Sequence, residues 1–299
     1  MRVLSFLLSV IFIVNLILLS CSPDQKYFPD NHWIIEPGSQ PMIIAHGGAK
    51  LLFPENTILA FDSAVAMGVD VLEMDLRLTK DEIIVTHHDM EIDSTSNGNG
   101  NIKDITYNEL KNLNFAYRFK ALDNTYPYQA IQVEIATLED LFKKYPTTKM
   151  IIEIKDEGDW GKKAADEVKF LVETYNMTQN VIVASFHDEI TQYFLSITEG
   201  KIPVSASQKQ ATKFALTAKS LTGFTFYPEE VALQLPMKSS GLNLGTKRII
   251  NSAHNHNMAI HYWTINEKED MRDLIEKGAD GIITDRPDIM KELLKEMGW

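Results

Sequence analysis

The sequence predicts an α/β fold, a (β/α)8 TIM barrel in which a β-hairpin replaces one helix, and three observations carry that prediction. Short apolar runs end in polar or acidic residues and give way to amphipathic stretches, the alternation expected of a parallel sheet wrapped by helices. One apolar run, in VDVLEMDLRLT, is followed by a connection too short to hold a helix. No Pro/Gly/Ser-rich linker divides the chain, and barrels of this kind run to about 250 residues as one domain.

The first run, Met42 to Ala45, stops at His46 and two glycines, as a buried strand ending in a loop would. Pro54-Glu55-Asn56-Thr57 then opens a helix, with Asn56 or Thr57 as its cap and Leu59, Phe61, Ala64 and Val65 as apolar positions. In the second strand, side chains two apart share a face, so Glu73, Asp75 and Arg77 converge while Val71, Leu72 and Met74 supply apolar cover. Thr79-Lys80-Asp81 cannot span a crossover, so the following run returns antiparallel and brings His88 back beside the carboxylates. Residues 102–136 are too long for a barrel loop and read as an insertion over the mouth, containing a short helix at 108–113 and a Tyr126-Pro127-Tyr128 segment; a specificity lid and passive packing both fit it. Thr137 opens the next helix, and further strands fall at 149–153, 180–184, 202–206, 221–226, 258–264 and 280–283, with an amphipathic helix at 164–175. Barrels of this class react at the C-terminal ends of their strands. That rule gathers His46, Glu73, Asp75, His88, Glu153 and Trp263 at one rim, and two acidic oxygens with an imidazole are the material of a metal-assisted acid–base site.

His46-Gly47-Gly48, Pro54-Glu55-Asn56-Thr57, Glu73-Met74-Asp75, His88-Asp89, Glu153-Ile154-Lys155, Ser185-Phe186, Trp263-Thr264-Ile265-Asn266 and Gly281-Ile282-Ile283-Thr284-Asp285 occur in that order. Together they resemble the motifs of the glycerophosphodiester phosphodiesterase family, over residues 42–288. The resemblance implies that Glu73, Asp75 and Glu153 hold a divalent cation and that His46 and His88 are the catalytic pair. It also implies that Lys155 lies near the phosphate, that Trp263 lines the substrate pocket, and that the substrate is a small phosphodiester. Three carboxylates and no thiolate suit a hard cation, Mg2+ or Ca2+. Two positions depart from the family pattern: Gly47 stands where the family usually has Arg, and Ser94 where it often has Arg. Without the first guanidinium the phosphate loses a bidentate partner, which leaves the cation, Lys155, and Arg77 or Lys50 to bind it. The implied activity is hydrolysis of glycerophosphodiesters to glycerol 3-phosphate and an alcohol. A lysophospholipase D-like or cyclic-phosphate-forming activity is the alternative within the enzyme class, and a non-catalytic lipoprotein binding a phosphate ligand the alternative outside it.

A net charge of -12 over 299 residues offers no basic surface for nucleic acid, and 44% hydrophobic content suffices for a large core. The N-terminus has a different character. Arg2 precedes an almost wholly apolar stretch from Leu4 to Leu19, and Leu18-Leu19-Ser20-Cys21 follows, the shape of a secretory signal. Cys21, the only cysteine, has no internal disulfide partner and resembles the lipidated cysteine of bacterial lipoproteins. The expected organisation is a signal peptide at 1–21, a tether at 22–40 and the barrel at 41–299, anchored to a membrane outside the cytoplasm. His254 and His256 read as surface residues at the end of a helix spanning 251–257, and no zinc spacing joins them to His261. His187 suits helix capping, His87 should point away from the site, and Ser185 lacks the Gly-x-Ser-x-Gly elbow of a nucleophile.

Overall fold

The structure, a computed structural model, describes residues 27–220 and 226–299. Seven parallel strands follow one another around the sheet in the spatial order β5-β4-β2-β1-β10-β9-β6. They are β1 (Met42–Ala45), β2 (Val71–Leu78), β4 (Lys149–Ile154), β5 (Val181–Ala184), β6 (Ala232–Leu235), β9 (Ala259–Tyr262) and β10 (Gly281–Thr284). The eighth position is filled by Val204 and Ser205, which bridge β5 at Val183 and β6 at Ala232 and so link the two ends of the sheet. The expected strand at 202–206 is therefore reduced to single bridges. Residues 221–225 of the expected strand at 221–226 lie outside the described residues, and β6 has no counterpart among the strands expected from the sequence. The hairpin is present: β3 (Ile84–Thr86) pairs antiparallel with β2, Leu76 opposite Thr86.

Alternation along each strand divides the apolar residues between two environments. Met42, Ile44, Val71 and Ile151 pack inside the barrel, while Ile43, Leu72, Met74, Leu76, Met150 and Ile152 pack outward against the helices. Val71 thus shares the inner face with Glu73 and Asp75 rather than covering them from behind. Parallel register places Asp75 beside Glu153 and Glu73 beside Ile151, so the carboxylates face inward from adjacent strands.

The helix after β1, α1 (Ile58–Met67), is capped by Thr57, whose hydroxyl accepts from the Ala60 N–H; it buries Ala60, Phe61 and Ala64 and leaves Val65 exposed. Asn56, the other candidate cap, is engaged with Asp75 instead. A short helix, α2 (Tyr107–Leu110), carries a capping box from Thr106 and Glu109, and α3 (Leu138–Lys144) is capped by Thr137. The next helix, α4 (Gly158–Thr174), begins six residues earlier than its periodicity indicated because Gly158 and Asp159 give no apolar signal. The insertion at 102–136 forms a satellite core beside the hairpin, from Val85, Ile92, Ile102, Leu110, Phe115 and Ile135. Among the described residues, none of 102–136 lines the cavity.

Residues 27–40 are not the free tether that their prolines suggested. Trp33 is 1% exposed and packs among Met42, Val71 and Ala259, the first residues of their strands, with the Lys149 ammonium over its ring at 4.7 Å. The Asn31 amide donates to the Val231 and Asn257 carbonyls, and the Ile35 N–H donates to Asp280. This segment therefore plugs the N-terminal end of the barrel. Replacing a buried Trp by Ala leaves a large void, so Trp33→Ala should cost about 3–5 kcal/mol. A thermal or urea melt of the purified variant checks this, and an unshifted midpoint would mean that the plug adds nothing.

Candidate active site

The strand ends and the loops after them enclose a cavity of about 510 Å³ lined by His46, Lys50, Glu73, His88, Glu153, Lys155 and Trp263 among others. Glu73, Asp75 and Glu153 each offer an oxygen within 4.8 Å of the other two, and all three are buried. Lys155, which follows β4, places its ammonium 3.0 Å from both Asp75 Oδ1 and Glu153 Oε2. Glu153 Oε1 is buried without a hydrogen-bond partner among the described residues. An orphaned carboxylate oxygen in an all-oxygen cluster fits a hard divalent cation, for which these three residues are the ligands at hand.

Backbone geometry holds the cluster together. Asn56, at φ 58°, donates from its side-chain amide to Asp75 Oδ2 at 2.9 Å and accepts from the Asp75 N–H. The Gly47 N–H donates to Glu73 Oε2 at 2.9 Å. Gly47 sits at φ 53°, and a Cβ there would lie 3.3 Å from the Glu55 Cβ, which gives glycine a conformational reason at this position. Gly48 is more constrained still, since a Cβ would come within 2.8 Å of the Ala60 Cβ.

Each of the two histidines has an aspartate at Nδ1, His46 in a mostly buried pair and His88 in an exposed one. His46 Nδ1 lies 2.6 Å from Asp285 Oδ1, and His88 Nδ1 lies 2.8 Å from Asp89 Oδ1. With Nδ1 occupied, each ring has Nε2 left for proton transfer; His46 Nε2 is 4.0 Å from Glu73. Asn266 in turn donates to Asp285 Oδ2 and accepts from the Asp285 N–H, which fixes the carboxylate that orients His46. Asp285 and Asn266 belong to motifs quoted above but carried no assigned role; only the fold brings residues 46, 266 and 285 together.

Burial and charge set the protonation of these groups. Burial depresses the His46 pKa, but Glu73 and the bond to Asp285 outweigh it and the net shift is upward. Burial, reinforced by Asp75, pushes Glu73 up to about 7. Burial raises Glu153 as well, whereas Lys155, His88 and Asn56 together overcome burial at Asp75 and hold it below the ordinary aspartate value.

Other expected residues settle differently. Arg77 is committed to Asp156 and to the His88 carbonyl, so it supports His88 and is not a phosphate contact. Trp263 stands edge-on to Phe186, ring centroids 5.8 Å apart, on the cavity wall. His87 points away, buried against Phe115 and bonded to Thr95. The Ser185 hydroxyl donates to the Ile154 carbonyl. The His187 ring makes no cap bond and lies 3.5 Å from Glu157. His254 pairs with Asp280, and His256 is not a surface residue but is buried against the Phe214 and Phe226 rings. His261 is wholly buried inside the barrel, where burial lowers its pKa to about 4.

A parallel α/β barrel whose C-terminal rim gathers three carboxylates and two aspartate-backed imidazoles around one cavity defines an acid–base enzyme with a cation site. Comparison with known proteins narrows the class. The glycerophosphoryl diester phosphodiesterase family matches residues 46–289, and the chain belongs to that family. YhdW of Bacillus subtilis is 34% identical over 83% of this chain and 96% of its own length. A glycerophosphodiester phosphodiesterase of Caldanaerobacter subterraneus is 29% identical, covering 86% of this chain and 99% of its own. Among solved structures, the glycerophosphoryl diester phosphodiesterase domain of a Mycobacterium tuberculosis protein superposes with a TM-score of 0.76 at 18% identity, over 86% of this chain and 100% of that one. An Oleispira antarctica phosphodiesterase, solved with its product sn-glycerol-3-phosphate, has a TM-score of 0.65 at 19% identity, over 85% of this chain and 97% of that one.

The raised Glu73 carboxyl has a measurable consequence. Between about 4.5, its ordinary value, and about 7, the folded chain retains a proton that the unfolded chain has lost, so this group's contribution destabilises the cation-free protein as pH rises through that window. Cation binding requires the carboxylate, so affinity should climb with pH up to about 7 and binding should release a proton. Calorimetric titration of cation into the protein at two pH values, in buffers of different ionisation enthalpy, measures both quantities. Glu73→Gln should weaken binding and flatten its pH dependence; equal affinity at both pH values for the unaltered protein would refute the shift.

Proposed function

We propose that this protein hydrolyses glycerophosphodiesters to glycerol 3-phosphate and an alcohol with the help of a divalent cation, Mg2+ or Ca2+, from a lipid anchor at Cys21 outside the cytoplasm. The observation that carries the reaction is the meeting of Glu73, Asp75 and Glu153 with His46 and His88 at one cavity. Family membership supports the same substrate class.

Glu73, Asp75 and Glu153 would hold the cation, which would compensate negative charge on the phosphoryl group. The chain's own residues do the rest. His46 and His88, each backed at Nδ1 by an aspartate, take a proton from the attacking hydroxyl and deliver one to the leaving oxygen. Asp285 and Asn266 hold the His46 ring in the orientation that aims Nε2 into the site, and Asp285 stabilises the imidazolium once the proton arrives. Lys155, on the cavity wall, shares its charge between Asp75 and Glu153 and so offsets their repulsion. Trp263 and Phe186 offer an apolar wall for the carbon skeleton.

One observation favours a second reading within the same chemistry. The cavity is also lined by Ala211, Ala215, Leu216, Leu242 and Leu244, a surface suited to an acyl chain. A rat relative named lysophospholipase D GDPD1 is 27% identical over 85% of this chain and 86% of its own. A lysophospholipid would then be the substrate. Comparing kcat/KM on glycerophosphocholine and lysophosphatidylcholine separates the readings.

Chelation should abolish turnover and added divalent cation restore it. His46→Ala and His88→Ala should each lose roughly 10²–10⁴ in rate while melting normally; wild-type turnover in chelator, or in either variant, would refute the site. The anchor rests on Leu18-Leu19-Ser20-Cys21, which lies outside the described residues. Cys21→Ala should release the protein from the membrane fraction or block its maturation, and an unchanged mass with unchanged partitioning would refute lipidation.

A further inference from the structure

Three cationic side chains of this chain were candidates to meet the substrate phosphate, and the geometry distinguishes them. Lys155 is shared between Asp75 and Glu153, and Arg77 is consumed by Asp156 and the His88 carbonyl. Lys50 is different. It lines the cavity, is half-buried, and takes part in none of the ion pairs among the described residues. Its charge nonetheless acts on His46, Glu55 and Asp285, which places the ammonium within the field of the His46 side of the site.

The loop leaves it little choice of position. The Ala49 and Lys50 N–H groups both donate to the His46 carbonyl, and Ala49 lies at φ 75°, so residues 46–50 form one tight turn that ties Lys50 to the catalytic histidine. A side chain at position 47 would start 3.7 Å from the Lys50 Cβ. Because Gly47 has no side chain, the space beside His46 is left to the lysine. A half-buried ammonium without a carboxylate partner is costly unless an anion visits it.

We infer that Lys50 is a substrate-binding residue whose ammonium contacts a non-bridging oxygen of the phosphate, from the His46 side, while Lys155 stays with the carboxylates. This rests on the phosphodiesterase reading of the cavity but makes a separate claim about which cation grips the anion. A charge-assisted hydrogen bond of this kind is worth roughly tenfold to a hundredfold in affinity.

The test combines binding and kinetics on the full-length protein with its divalent cation present. Titration calorimetry with glycerol 3-phosphate reads binding without turnover, and steady-state assays on glycerophosphocholine separate KM from kcat. Lys50→Met should weaken glycerol 3-phosphate roughly tenfold to a hundredfold and raise KM in parallel, with a smaller change in kcat. Lys50→Arg, which keeps the charge, should recover most of the binding. Should the wild type turn over the diester while Lys50→Met binds and turns over as well as it does, the role of Lys50 falls and the proposed function stands. Should the wild type show no turnover yet lose glycerol 3-phosphate on Lys50→Met, the activity falls and Lys50 stands. A wild type that neither binds glycerol 3-phosphate nor turns over the diester overturns both, and loss of kcat alone, with KM and binding unchanged, overturns the binding role.

Discussion

Mutual repulsion among Glu73, Asp75 and Glu153 is the constraint on which the rest of the site depends. Three carboxyl groups buried within 4.8 Å cannot all carry charge in a low-dielectric interior without partners. Each neighbouring feature reads as a response to that repulsion. The Gly47 N–H and the Asn56 amide place donors on Glu73 and Asp75, Lys155 bridges Asp75 and Glu153, and the proton held by Glu73 up to about 7 removes one charge. The positive φ at Gly47 and Asn56 follows from the same need, because only a sharply turned loop can point a backbone N–H and a side-chain amide at two carboxylates on one strand. The sheet supplies the other half of the design: parallel register sets Asp75 against Glu153, and alternation turns both inward.

The hairpin is the second device that the site requires. A helix after β2 would have carried the chain to the outside of the barrel, whereas the antiparallel return of β3 delivers His88 to the same rim as Glu73. Arg77 then joins the two strands by bonding both the His88 carbonyl and Asp156. A residue that looked like a ligand for phosphate is better described as a brace for an imidazole.

How much of this was legible in the sequence depended on the range of the interaction. Strands β1, β2 and β4 were readable because β1 and β4 are short apolar runs with charge only near their ends, and in β2 the charged residues alternate with apolar ones at the period of a strand. Strand β6 was not, since Gln234 interrupts it and Pro236 follows, and the bridges at Val204 and Ser205 have too few paired residues to produce a period. The inner position of Val71 could have been read from its spacing of two from Glu73. The helix-wall placement of His256 could not, because the Phe214 and Phe226 rings that it packs against lie far away in sequence. The family motifs brought together Glu73, Asp75, Glu153, His46 and His88. The roles of Asn56 and Asp285 emerged only when residues 19 and 239 positions from their partners came within hydrogen-bond distance.

The plug at the closed end of the barrel gives the molecule a polarity that its sequence does not display. Trp33 is clamped among the first residues of the strands, so the polypeptide that joins the barrel to its N-terminus departs from the face opposite the cavity. Were Cys21 fixed in a bilayer, only residues 22–26 would separate it from the plug, and the barrel would stand on the membrane like a cup on its base. Its opening would face the surrounding medium. An enzyme mounted in that way would scavenge molecules already shed into solution, and a lipid still seated in the supporting leaflet would have to leave it before reaching His46.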